Sequence, residues 1–139
     1  MTDDEYRALS DFRYHIRRFL HFSEQAARSV GLEPQQHQML LAIRAHGEEG
    51  PTIGQLADHL AVRPHSAVGL VDRLEQRGLL ERIRSEVDRR QVRLRLTRQG
   101  ADSVRQLSKL HREELRDSAP GLIDALHRVI ELAPAVSNR

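Results

Sequence analysis

The 139-residue sequence predicts a mainly α-helical chain that carries one small β-hairpin. Two short amphipathic segments, Thr52 to Leu60 and Pro64 to Gln76, are separated only by a few residues around Arg63-Pro64. Beyond Gly78, two runs of alternating apolar and charged residues flank a charged tip. On either side lie long stretches that keep helical spacing of apolar residues.

The first segment opens at Thr52 with Gln55 three residues later, the pattern of a capping box, in which the hydroxyl takes an orphan amide and the glutamine reaches back. Ile53, Leu56, Ala57 and Leu60 then share one face. Proline suits the first turn of a helix because it has no amide to satisfy there, so a second helix is predicted to start at about Pro64. Ala67, Leu70, Val71 and Leu74 recur at helical spacing and face inward, which turns Arg63, His65, Ser66, Val68, Gly69 and Arg73 outward. Gly78 stands where a left-handed helix terminus is wanted. Leu80, Arg82 and Arg84 form one predicted strand, and Val92, Leu94 and Leu96, alternating with Arg93 and Arg95, form the other. Ser85 to Gln91 is the tip between them, with Asp88, Arg89 and Arg90 at its end. That order is a helix-turn-helix followed by a wing.

Charge follows the same plan. Arg63 to Arg98 holds ten arginines and five acids, a net +5, whereas the whole chain is +2 and the remainder therefore −3. Positive charge is gathered where a polyanion would dock. A helix turn of small and hydrogen-bonding side chains can approach base edges in a major groove. An arginine-bearing hairpin can follow phosphates or enter a narrow minor groove. The DNA-contacting candidates are Thr52, Arg63, Pro64, His65, Ser66, Val68, Gly69, Arg73, Arg84, Asp88, Arg89 and Arg90. A carboxylate is repelled by phosphates, so Asp72 is expected to be an internal partner that orients an arginine and not a DNA contact. Arg73 is either structural or on the phosphate backbone. Asp88 makes sense as a clamp that fixes the Arg90 guanidinium; the alternative is a flexible hairpin with screened charges.

These residues resemble the MarR-type winged-helix transcriptional regulators. The resemblance is carried by Thr52-Ile53-Gly54-Gln55-Leu56-Ala57, by Leu70 to Leu79, by Asp88-Arg89-Arg90 and by Leu94 to Gly100, and it extends upstream through Leu32 to Gln36. Ser85-Glu86 departs from the Asp-Pro usual before the tip, and Arg63 stands where a capping serine is common. The resemblance implies one domain over 1–139, with 32–100 as the DNA-reading region and 1–31 and 101–139 as dimerisation helices. It implies a ligand-responsive regulator, a repressor with an activator as the alternative, that binds a pseudo-palindromic operator as a homodimer. It further implies a small aromatic anion as effector, bound between the dimer region and the reading heads and changing DNA affinity by linkage. His15, Phe22 and His37 are guesses at the lining of that cavity. It also favours the clamp at Asp88.

The flanking stretches fit this scheme. Asp4 to about Val30 predicts a long helix with Leu9, Phe12, Ile16, Phe19, Leu20, Ser23, Ala26, Ala27 and Val30 along one stripe. All five aromatic residues (Tyr6, Phe12, Tyr14, Phe19, Phe22) lie in the first 22 positions, so this helix must pack against something large. Gly31 ends it, Pro34 starts a helix buried through Met39, Leu40 and Ile43, and the loop Gly47 to Pro51 follows. Ala101 to Ser118 is predicted as a helix that breaks at Pro120-Gly121. A last helix of about twelve residues, with Leu122, Ile123, Leu126, Val129, Ile130 and Ala133 on one face, then needs a partner to cover it.

Other chemistries find no footing. Cysteine is absent, which excludes disulfides and thiolate metal sites. The eight histidines show no pair at zinc-site helical spacing, so no metal and no cofactor is expected. No nucleophile elbow, phosphate-cradling glycine loop or paired-carboxylate pattern occurs, so no catalytic residue is assigned and the chain is read as no enzyme. No run approaches the roughly 18 apolar residues of a membrane span and no signal peptide is recognised, so a cytoplasmic protein without a membrane partner is expected. The rival reading is a winged helix used for protein–protein contact, which would have no need of the +5 segment.

Overall fold

The computed structural model describes residues 1–134. It contains α1 (Asp3–Ser29), α2 (Pro34–Ala45), α3 (Ile53–Leu60), α4 (Pro64–Gln76), β1 (Leu80–Arg84), β2 (Val92–Leu96) and α5 (Arg98–Leu132). The chain forms two compact units, one of residues 1–26 and 109–139, the other of residues 27–108.

The unit 27–108 is built on local signals. Thr52 is the N-cap of α3, its hydroxyl accepting the Gln55 amide at 3.2 Å while the Gln55 side chain accepts the Thr52 amide at 2.9 Å. Pro64 opens α4, and Gly78, at φ 74°, follows its C-cap Arg77. The turn between α3 and α4 is held by Ala61 at φ 53°, the one non-glycine residue in the left-handed region among the described residues. The two strands pair antiparallel, from Leu80 opposite Leu96 to Arg84 opposite Val92. Leu32, Met39, Leu40, Leu56, Val71, Leu74, Leu80 and Leu94 are sealed in its core. The loop before α3 joins the sheet edge, where the Leu94 amide donates to the Pro51 carbonyl at 2.9 Å. Gly50 permits this approach, because a Cβ there would overlap the Leu94 carbonyl.

The other unit corrects one expectation. The break predicted at Pro120-Gly121 does not occur: α5 runs from Arg98 to Leu132 with Pro120 inside it. Proline forfeits one backbone bond to the preceding turn, at a cost of about 3 kcal/mol in a helix interior. The inward positions Leu115, Ser118, Leu122, Ala125 and Val129 nevertheless continue at alternating three- and four-residue spacing through that point, and Pro120 itself is exposed. A kink that rotated one half would take half of this face out of register. Gly121 has its own reason: a Cβ there would come within 2.8 Å of His15 Cε1, so its absence admits the imidazole of α1. His111 Nε2 lies 2.8 Å from Ser23 Oγ, with the rings of Phe19 and Phe22 edge-on at 6.0 and 5.4 Å. Among the described residues, no helix is long and apolar enough to cross a membrane. Residues 135–139, assigned above to a dimerisation segment, lie outside the described ones.

Candidate nucleic-acid interface

The outward face of α4 is open. Arg63, Pro64, His65, Ser66 and Arg73 are exposed, Val68 is 39% exposed and Gly69 half-buried, while Ala67, Leu70, Val71 and Leu74 anchor the opposite face. Arg63 occupies the N-cap without a side-chain capping bond, so its guanidinium is left to the surface. Gly69 has no intramolecular justification, since a Cβ there would meet nothing within 4 Å. In a helix interior glycine costs roughly 1 kcal/mol relative to alanine. Thr52 is committed to capping α3 and is half-buried.

Several arginines of the +5 segment are tied down by neighbours. Arg82 on β1 reaches back to α4, donating to Asp72 Oδ1 at 2.6 Å and to the Glu75 carboxylate. The Asp72 hydrogen bond above all holds the Arg82 pKa above its usual value, against the opposing effect of burial and with help from Glu75. Asp72 is thus the internal partner expected of it, and the arginine it orients is Arg82. Arg95 pairs with Glu81 across the strands at 2.6 Å. Arg93 donates to the Gly50 carbonyl at 3.0 Å and to Gln91 Oε1 at 2.9 Å, and its Nε faces Glu49 Oε1 at 3.7 Å. Arg77 donates to the Gly31 carbonyl at 2.8 Å, joining the ends of α4 and α1 within this unit. Among the described residues, no acid pairs with Arg63, Arg73, Arg89 or Arg98, so the cationic surface narrows to a few side chains on α4, the wing tip and the start of α5.

The wing tip is organised by Asp88. Its Oδ1 accepts from the Arg90 amide at 3.0 Å and from Arg90 Nε at 3.3 Å. Its own amide donates to Ser85 Oγ at 3.3 Å, and its carbonyl accepts from the Gln91 amide at 2.9 Å. Ser85 is buried and its amide donates to the Gln91 carbonyl, so the departure noted at Ser85 still supplies an acceptor that closes the turn. Arg84 donates to the Arg89 carbonyl at 2.9 Å, which makes it a brace of the hairpin. Arg89 is exposed and the Arg90 side chain is 93% exposed, so both are presented to a partner.

The three effector guesses fall in different places. His15 lines a cleft of about 170 Å³ with Arg18, Phe19, Glu114 and Gly121. Phe22 lines another of about 460 Å³ with Tyr14, Arg17, His21 and Glu114 in the same unit. His37 belongs to the unit 27–108, where it is buried. Which arginine Asp72 orients and the His111–Ser23 contact could not be read from the sequence, because no local spacing marks partners ten and 88 positions apart. Among the described residues, no group of three or more His, Asp or Glu could hold a metal ion.

A helix-turn-helix with an exposed second helix, followed by an arginine-tipped hairpin, defines a winged helix-turn-helix protein. The MarR-family model matches residues 30–91. The HTH-type transcriptional repressor MdtR of Bacillus subtilis (strain 168) is 31% identical over 107 residues, covering 68% of each chain. This chain belongs to the MarR family, whose members are transcriptional regulators and not enzymes. Its fold is similar to that of AbsC, a MarR family transcriptional regulator from Streptomyces coelicolor, with TM-score 0.70, 24% identity, and coverage of 96% of this chain and 84% of that one. It is also similar to a mutant MarR from E. coli complexed with operator DNA, with TM-score 0.65, 21% identity, and coverage of 86% and 87%.

Proposed function

We propose that the protein is a repressor of the ligand-responsive type, which binds a pseudo-palindromic operator as a homodimer and is released by a small aromatic anion. The carrying observation is the exposed α4 face, where Arg63, His65, Ser66, Val68, Gly69 and Arg73 stand clear of the core, beside a hairpin that presents Arg89 and Arg90. Each subunit places α4 in a major groove and its wing tip in the flanking minor groove. Residues 32–100 read DNA, and 1–31 with 101–139 join the subunits. The exposure of Leu9, Leu20, Ile123, Leu126 and Ile130 on α1 and α5 supports this, because among the described residues these large apolar side chains stay open to solvent on the two helices. Repression is supported by the likeness to MdtR, and an operator by the likeness to the DNA-bound MarR. Arg17 and Arg18 near Tyr14 and Phe22 supply cations beside aromatic rings, the chemistry an aromatic anion requires. The protein acts in the cytoplasm, where its DNA lies.

Selection of bound sequences from random duplexes, followed by a salt titration of the enriched operator, tests this reading. Affinity falls steeply with salt when phosphates are neutralised. A protein-contact module would enrich no sequence and show no such slope.

A further inference from the structure

Val68 is the one aliphatic side chain of α4 that the core does not take; Leu70, Val71 and Leu74 are all buried, and Val68 stays 39% exposed. It sits beside Gly69, where a Cβ would find open space. Val and Gly are both poorer helix formers than the straight-chain residues an exposed mid-helix position usually holds. Gly69 gains no packing in return and Val68 is not taken into the core, so two adjacent residues of low helix preference stand in the middle of the face that points outward. Local preference conflicts with the fold where a function asks for it.

The neighbours on that face are polar: His65 and Ser66 precede the pair, and Asp72, engaged by Arg82, and Arg73 follow it. They offer hydrogen bonds and charge, whereas Val68 offers only methyl groups. On the edge of a DNA major groove, the matching apolar group is the C5-methyl of thymine. We infer that Val68 is a specificity-determining residue that packs on one thymine methyl in each half-site, with Gly69 supplying the clearance that lets the helix come close enough. The inference rests on the DNA-reading function proposed above and adds the base that this position selects.

The test uses the full-length protein and the operator selected from unmodified duplex DNA. Each thymine is replaced in turn by deoxyuridine, which removes the methyl and leaves base pairing intact. At one thymine per half-site, wild-type affinity is expected to drop about fourfold, the burial free energy of one methylene-sized group expressed as a ratio. Val68→Ala should bind the thymine operator more weakly and lose less than about twofold on the same replacement, which makes the two changes non-additive. Gly69→Ala should raise the melting temperature, as expected for an exposed helical site, and still weaken operator binding. Equal losses for wild type and Val68→Ala, or no loss at any thymine, would overturn the methyl contact while leaving the regulator reading intact. Operator binding by Gly69→Ala as tight as wild type would overturn the clearance. Failure to enrich any operator would remove the DNA-reading function itself, and this inference with it.

Discussion

Asp88 holds Arg90 by two bonds from a single oxygen: Oδ1 accepts from the Arg90 amide at 3.0 Å and from its Nε at 3.3 Å. Half of this clamp is backbone, so it shapes the tip as well as aiming the guanidinium. Arg90→Ala is expected to weaken operator binding and to lower the salt slope by up to about one phosphate equivalent per wing. Asp88→Ala should also weaken binding, although it deletes an acid near a polyanion, where the net field alone predicts tighter binding. Fluorescence anisotropy at fixed salt decides the matter by sign, and a tighter Asp88→Ala complex would dispose of the clamp.

Arg82 bridges the wing stem to Asp72 and Glu75 of the reading helix. All three side chains are partly exposed, so the stability lost in Arg82→Ala should stay below about 1 kcal/mol. Operator affinity should fall further than that, since two carboxylates are uncovered beside the DNA and the wing loses a tie to α4. The salt slope should not change, because Arg82 is committed to the acids. A reduced slope would place Arg82 on a phosphate.

The proposed dimer would rest on side chains of α1 and α5 that stay exposed among the described residues. Ile130→Asp and Leu126→Asp alter positions 61% and 40% exposed, so each variant should keep its helical circular dichroism. Sedimentation should find monomers in both, with operator binding weakened. Dimers persisting in the double variant would move the interface elsewhere.

Gly121 and His15 form a notch and its occupant. Gly121→Ala should destabilise the protein by about 1 kcal/mol, the low end for overpacking, because the obstructing atom belongs to a side chain that can swing away. In a His15→Ala background the same substitution should stabilise instead, by the roughly 1 kcal/mol that separates glycine from alanine in a helix. Thermal unfolding of the four proteins measures this change of sign. Equal effects in both backgrounds would mean that the imidazole is not what the missing Cβ accommodates.

Ala61 carries the α3–α4 turn at φ 53°, a conformation that costs a residue bearing a Cβ roughly 1 to 2 kcal/mol. Ala61→Gly is expected to stabilise the protein by up to about 1 kcal/mol, after the larger entropy of the unfolded glycine is subtracted. Urea unfolding tests this, and a destabilised variant would show that the Ala61 methyl contributes packing that outweighs the strain.

Elements encoded within a few residues were legible in the chain itself. Thr52 and Gln55 announced the start of α3, Pro64 that of α4, and Gly78 its end, because capping and backbone restriction act within one turn. The alternation from Leu80 to Arg84 and from Val92 to Leu96 marked the wing for the same reason. The outward face of α4 followed from where Ala67, Leu70, Val71 and Leu74 had to go. Residue order did not decide the fate of Pro120. Its local effect is to break a helix, and only a face that stays in register on both sides, with His15 seated against Gly121, overrides it. Nor could composition say which arginines of the +5 segment remain available. Arg82, Arg93 and Arg95 are charges in the sequence but ties in the fold: Glu81 reaches Arg95 once the two strands pair, while Asp72 and the Gly50 carbonyl reach Arg82 and Arg93 once the wing has folded onto α4 and the loop before α3. Turns and caps are set by neighbours along the chain, whereas the partner of a charge is set by neighbours in space.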